Sequence, residues 1–108
     1  MSKILTLTGN NWTEFLQSEI SVLILERNSC TNCEEWSKEI NSSNVPELVR
    51  FGKLNLDDTG LGRIKISNPW IAEVDILPYN AIFINGELKK HWAGGGINRL
   101  QSRLNRFV

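Results

Sequence analysis

The sequence predicts an α/β fold: a central mixed sheet with helices on both faces, ending in a C-terminal antiparallel hairpin. Three observations carry this. Strand-like and helix-like runs alternate along most of the chain, as in parallel strands joined by helical crossovers. One run, residues 21–27 with Val22, Leu23, Ile24 and Leu25, is too continuously apolar for a half-exposed strand and reads as the centre of the sheet. Further on, Asn85-Gly86 separates two strand-like runs and suits the positive φ angles of a tight hairpin turn.

The elements follow in order. Residues 3–7 form a short first strand, broken by Thr8-Gly9-Asn10. A helix comes next, with Asn11 as cap, Glu14 completing a capping box, and Trp12, Phe15 and Leu16 as its apolar stripe. After the central strand, Asn28-Ser29 is expected to cap a helix that carries Cys33, Trp36 and Ile40 on its buried side and ends near residues 41–44. Residues 48–56 give a third strand and residues 57–62 a loop. Ser67-Asn68-Pro69 has the cap and first-turn proline of a short helix whose inward face is Trp70, Ile71 and Val74. Residues 80–85 and 88–92 are the hairpin strands. Gly94-Gly95-Gly96 precedes a last helix with Ile97, Leu100, Leu104 and Phe107 on one side and Arg99, Arg103 and Arg106 on the other, a solvated stripe.

A chain of 108 residues, 41% hydrophobic, supports one domain (1–108) with a single core. Twelve basic and twelve acidic residues balance, so no overall field favours nucleic acid, an anionic membrane or acidic substrates. The opening residues have no long apolar run or small-residue cleavage site, and no segment approaches a membrane span, which predicts a cytoplasmic protein. In a reducing compartment, two cysteines with none left for structural bridges suit a cycling pair better than a staple.

Those two cysteines are the chemical feature of the chain. Cys30 and Cys33 flank Thr31-Asn32 at the start of the second helix. At this spacing they can close a small disulfide ring with little backbone movement, while free helix N–H groups stabilise a thiolate on the first sulfur. That makes Cys30 the nucleophile. Cys33, one turn inward and shielded, is the resolving thiol that attacks a mixed disulfide held on Cys30. An inert buried pair and a half zinc site are the competing readings; a tetrahedral site needs more ligands, and the other soft candidate is His91.

The chain resembles the thioredoxin family. The residues that carry the resemblance are Cys30-Thr31-Asn32-Cys33 after the second strand, Lys53-Leu54-Asn55-Leu56-Asp57 at the third, Leu77-Pro78 before the fourth, Phe83-Ile84-Asn85-Gly86-Glu87 at the hairpin, and Ala93-Gly94 beyond it. The resemblance implies a thioredoxin fold and a small thiol-disulfide oxidoreductase whose only redox group is the Cys30–Cys33 disulfide, with no other cofactor and no metal. It implies disulfide-containing client proteins and a thioredoxin reductase or similar electron donor as partners, and neither nucleic acid nor membrane. It further implies that Pro78 is cis and lies against the cysteines, leaving the backbone groups of Leu77 free to pair with an extended substrate. Ala93 and Gly94 would complete the substrate groove, glycine keeping bulk away from the client backbone; the plainer reading of Gly94 is a turn glycine.

Several positions depart from that pattern. Thr31-Asn32 replaces Gly-Pro between the cysteines and Ser29 replaces the preceding tryptophan, so the balance between dithiol and disulfide should differ, towards a less reducing pair. Glu34 and Glu35 follow Cys33 where the family often has lysine; they disfavour neighbouring thiolates, and they either form a solvated face or help choose partners. The buried aspartate six residues before the first cysteine is Ile24 here, while its lysine partner, Lys53, remains. Glu26, two residues along the strand on the same face, either replaces that carboxylate and pairs with Lys53 for proton transfer, or reaches solvent while Lys53 snorkels outward. Residues 60–66 read as an insertion that either sets partner choice or adds a turn without a role. Tyr79 either contacts partners or packs beneath the sheet, and His91 is not asked for by the pattern. Two alternatives to the oxidoreductase are retained: a redox-inactive binding module on the same fold, and a glutathione-using glutaredoxin, against which the extra N-terminal strand and helix argue.

Overall fold

The computed structural model describes residues 3–107. Its order is β1 (Ile4–Thr6), α1 (Trp12–Leu16), β2 (Ile20–Glu26), α2 (Thr31–Ser42), β3 (Val49–Asn55), α3 (Gly62–Ser67), a 3-10 helix (Pro69–Glu73), β4 (Tyr79–Ile84), β5 (Glu87–Ala93) and α4 (Ile97–Leu104). The five strands form one mixed sheet in the order β1-β3-β2-β4-β5. β2 lies at its centre, parallel to β3 and antiparallel to β4.

The apolar run of β2 ends up central because its alternate side chains feed two cores. Ile20, Val22 and Ile24 point to the side of α2 and α4, where they meet Trp36, Ile40, Phe51, Ile82, Leu100 and Leu104. Leu23 and Leu25 point to the other side, with Phe15, Leu54, Ile64, Ile71 and Phe83. A strand covered on both faces gains nothing from polar alternation, which is why the run is continuous. Ser21 is buried too, and its hydroxyl donates to the Phe15 carbonyl at 3.0 Å. Gly52 of β3 is required by packing: a Cβ there would lie 2.8 Å from Leu7 and from Phe15. The hairpin turn has φ of 52° at Asn85 and 87° at Gly86, as the dipeptide predicts.

Four local expectations are corrected. The Asn11–Glu14 capping box is not formed: Asn11 Oδ1 accepts from the Thr8 N–H at 2.7 Å and Nδ2 donates to the Thr6 carbonyl, so the side chain closes the turn before α1. A five-residue helix keeps its first N–H groups in reach of water, and the turn wins the side chain. Residues 60–66, read as an insertion, form most of α3 and its N-cap; Leu61 and Ile64 are buried in the second core, although Ile66 is 80% exposed. The extra segment therefore has a packing role. Asn68 stands before Pro69 as expected, but its Nδ2 donates back to the Ile64 carbonyl and closes α3 instead of capping the 3-10 helix. The arginine stripe of α4 is also not simply solvated, since the Arg103 guanidinium lies 4.6 Å over the Trp92 ring and Arg99 Nη1 donates to the Ala93 carbonyl.

Candidate functional site

The cysteines sit where β2 hands over to α2, at the C-terminal edge of the central strands. The turn that presents them is held from the neighbouring strand. Asp57 accepts from the Asn28 backbone N–H and from Arg27 Nη1, both at 2.8 Å, and Asn55 Nδ2 donates to Asn28 Oδ1 at 2.7 Å. The Asn28 amide and the Arg27 guanidinium hold the Asp57 carboxyl below its ordinary range. Ser29 takes a positive φ of 56° to complete the turn. The expected Asn28-Ser29 cap is thus corrected: Asn28 is engaged with β3, and the N-cap of α2 is Cys30 itself.

Cys30 and Cys33 are joined in a disulfide with Cα atoms 5.2 Å apart, and the Cys33 N–H points at Cys30 Sγ at 3.2 Å. The two sulfurs differ in access. Cys30 is half-buried and Cys33 is 1% exposed, the asymmetry that the helical spacing predicts for an attacking and a shielded thiol.

Beside the disulfide runs a groove of about 420 Å³ lined by Asn32, Glu35, Trp36, Glu39, Ile76, Leu77, Pro78 and the 94–96 glycines. The Leu77–Pro78 bond is cis. Leu77 makes no backbone hydrogen bond among the described residues, and the Pro78 carbonyl accepts from the Gly94 N–H at 2.7 Å. Gly94 has φ +93°, a conformation that favours glycine at this turn, and it lines the groove.

A buried polar chain fixes this groove, and no local pattern in the sequence announced it. The Trp36 indole N–H donates to Asn80 Oδ1 at 2.8 Å, and Asn80 Nδ2 donates to the Gly94 carbonyl at 2.7 Å. Asn80 is fully buried, so its amide relies on protein partners, with a longer bond from Nδ2 to the Trp92 carbonyl at 3.5 Å, and it ties α2 to the glycine loop. The one sequence signal was an asparagine inside a strand-like apolar run; its partner lies 44 positions away. Glu39 was missed for the same reason. Its Oε1 accepts from the Ile97 N–H at 2.9 Å, supplying α4 with the cap that Gly96 lacks.

Behind the cysteines, Ile24 is in register with Lys53 and Glu26 with Asn55. Glu26 and Lys53 form an ion pair at 3.9 Å, their side chains 17% and 34% exposed, so of the two expectations for Glu26 the pairing is the one found. Tyr79 packs in a ring cluster at the sheet edge: Trp70 and His91 stack at 5.1 Å, and the Tyr79 hydroxyl meets His91 Nδ1 at 2.6 Å. Burial raises the Tyr79 hydroxyl above its ordinary pKa. His91 is exposed and bound to this cluster, away from the lining of the groove.

Solved structures with this architecture decide the fold. The chain aligns with thioredoxin NaTrxh from Nicotiana alata at a TM-score of 0.77 and 18% identity, over 98% of this chain and 93% of that one. Thioredoxin O2 from Arabidopsis thaliana, in its oxidized state, aligns at 0.75 and 23% identity, over 97% and 94%. The chain has the thioredoxin fold. Thioredoxin f2 from Chlamydomonas reinhardtii gives a further match at 0.76 and 17% identity, over 95% and 94%. No family model and no curated protein sequence matches, so the thioredoxin fold is established here by three-dimensional similarity. Among the described residues no helix is long and apolar enough to cross a membrane, and no group of three or more His, Cys, Asp or Glu is placed to hold a metal ion.

Proposed function

We propose that this protein is a thiol-disulfide oxidoreductase of thioredoxin type. The observation that carries the reading is a disulfide at the N-terminus of α2 whose first cysteine is half-buried and whose second is fully buried, with Asn32 between them lining an open groove. In the reduced protein, the Cys30 thiolate attacks one sulfur of a client disulfide; a mixed disulfide forms and the client's other sulfur leaves as a thiolate. The Cys33 N–H aimed at Cys30 Sγ, with the helix N-terminus, favours that thiolate before attack. Cys33 then loses its proton and attacks Cys30 Sγ, which releases the second client thiolate and forms the Cys30–Cys33 disulfide. Two electrons pass to the client, whose thiolates are protonated from solvent. An external dithiol, supplied by a reductase, returns two electrons to the pair. We assign Glu26, held by Lys53, as the group that takes up the Cys33 proton.

The client segment lies along Leu77, Pro78, Ala93 and Gly94, pairing with the unoccupied backbone groups of Leu77. The disulfide is the redox group and no further cofactor is called for. A cycling pair belongs in a reducing compartment, and the reading places the protein in the cytoplasm. The test is a protein-disulfide reduction assay driven by dithiothreitol. Wild type turns over, Cys30→Ser does not, and Cys33→Ser accumulates a mixed disulfide on Cys30. Equal rates for wild type and Cys30→Ser would instead make the protein a binding module.

A further inference from the structure

The groove has two chemically different walls. On one, Glu35 and Glu39 stand a turn apart on α2 and both line it; on the other are Ile76, Leu77 and Pro78. Ile76 is 61% exposed, an apolar side chain held outside the core at the lip of the groove. Asn32, which lies between the two cysteines in the chain, also lines the groove, although neither cysteine does.

The carboxylates of the helical wall are not consumed within the chain. Glu35 has no partner among the described residues, and Glu39 uses one oxygen to cap α4. Arg99, beside the glycine lip, is directed to the Ala93 carbonyl. The whole chain is neutral, so this acidity is local to the groove and not part of a general field. The helical wall and the glycine lip are tied to the rest of the fold by the Trp36–Asn80–Gly94 chain and by the Glu39 cap.

We propose that the groove selects cationic client segments: an extended stretch next to the attacked cysteine, with a Lys or Arg against Glu35 and Glu39 and an apolar side chain against Ile76 and Leu77. This rests on the oxidoreductase reading above. An extended segment that pairs with Leu77 presents successive side chains to opposite sides. The basic and apolar residues of a client therefore occupy adjacent positions, one for each wall. Glu35 acts by attraction at the rim of the contact, where charge changes the rate of productive encounter and the choice of partner more than the strength of the final complex.

The test uses pre-reduced protein, freed of reductant, and two disulfide-linked peptides that differ at one position beside the cysteine: Lys-Leu in one, Glu-Leu in the other. Second-order rate constants for thiol release are compared as a ratio. Wild type favours the lysine peptide by about tenfold, the size expected from gaining one or two exposed ion pairs and avoiding like-charge contact. The ratio falls towards one at about 0.5 M salt, where such contacts are screened. Glu35→Lys removes or reverses the preference, and Glu39→Gln, which keeps the acceptor for Ile97, lowers it. Equal rates for the two peptides with wild type, or a preference that Glu35→Lys leaves intact, would overturn the proposal while keeping the oxidoreductase reading. Failure of the reduced protein to react with either peptide, or with a small aromatic disulfide, would overturn both.

Discussion

Replacing Asn80 with alanine breaks the chain that joins the cysteine helix to the glycine loop, and the two short bonds it loses differ in cost. Trp36 is 2% exposed, so water cannot take over its indole N–H, and stranding that donor costs about 1–3 kcal/mol. The Gly94 carbonyl lies at a half-buried position beside an open groove, where water can substitute; its loss costs nearer to ~0.5–1 kcal/mol. Together they amount to roughly 1.5–4 kcal/mol, or a fall in Tm of roughly 6–20 °C for a domain of this size. The measurement is urea unfolding of the oxidised protein followed by far-UV circular dichroism, so that changing a tryptophan does not remove the signal. Trp36→Phe and the double variant complete a cycle. Trp36→Phe alone leaves Asn80 Oδ1 without its donor. In the Asn80→Ala background the same change removes a stranded N–H and costs less, so the two substitutions couple by at least ~1 kcal/mol. Additivity within about 0.5 kcal/mol would refute the claim that these groups act as one unit.

Two further outcomes follow from the neighbouring charges. Glu26→Gln slows disulfide reduction by up to about 10²-fold and moves the pH dependence of the rate, because the Cys33 proton loses its acceptor; an unchanged profile removes Glu26 from the mechanism. Asp57 is held below its ordinary pKa of 3.8 by Asn28 and Arg27, so on acidification the unfolded chain takes up this proton before the folded one does. Its stabilising contribution is complete above the unfolded value and vanishes as pH falls through the folded one. The Tm difference between wild type and Asp57→Asn therefore shrinks from about pH 6 to about pH 2, and a difference that stayed constant would contradict this account.

Much of this protein was legible in its sequence, for reasons that are local. A central strand announces itself because burial on both faces leaves no polar alternation, as residues 21–25 show. Asn85-Gly86 specifies its turn because few residues accept positive φ at two successive positions. The cysteine spacing set the half-buried and the fully buried cysteine, since i and i+3 on a helix start fix their relative depth. Local capping was less legible: asparagine side chains have several partners in reach, and at Asn11, Asn28 and Asn68 each took one other than the helix start, a side-chain amide in the case of Asn28.

The tertiary structure alone decided what joins distant parts of the chain. The Trp36–Asn80–Gly94 bonds, the Glu39 cap on α4 and the Asp57 anchor beneath the cysteine turn each link separate elements of the fold. No short-range pattern encodes such pairs, because the chain selects them only when burial removes water as the competing partner. Residues 60–66 teach the same lesson from the apolar side: as sequence they were an insertion, either setting partner choice or adding a turn without a role, and only packing made Leu61 and Ile64 part of the core. The sequence by itself determined the sheet, the hairpin and the two sulfurs with their separate depths. The folded chain decided the groove beside them, because its walls come from three stretches of sequence that meet only in three dimensions.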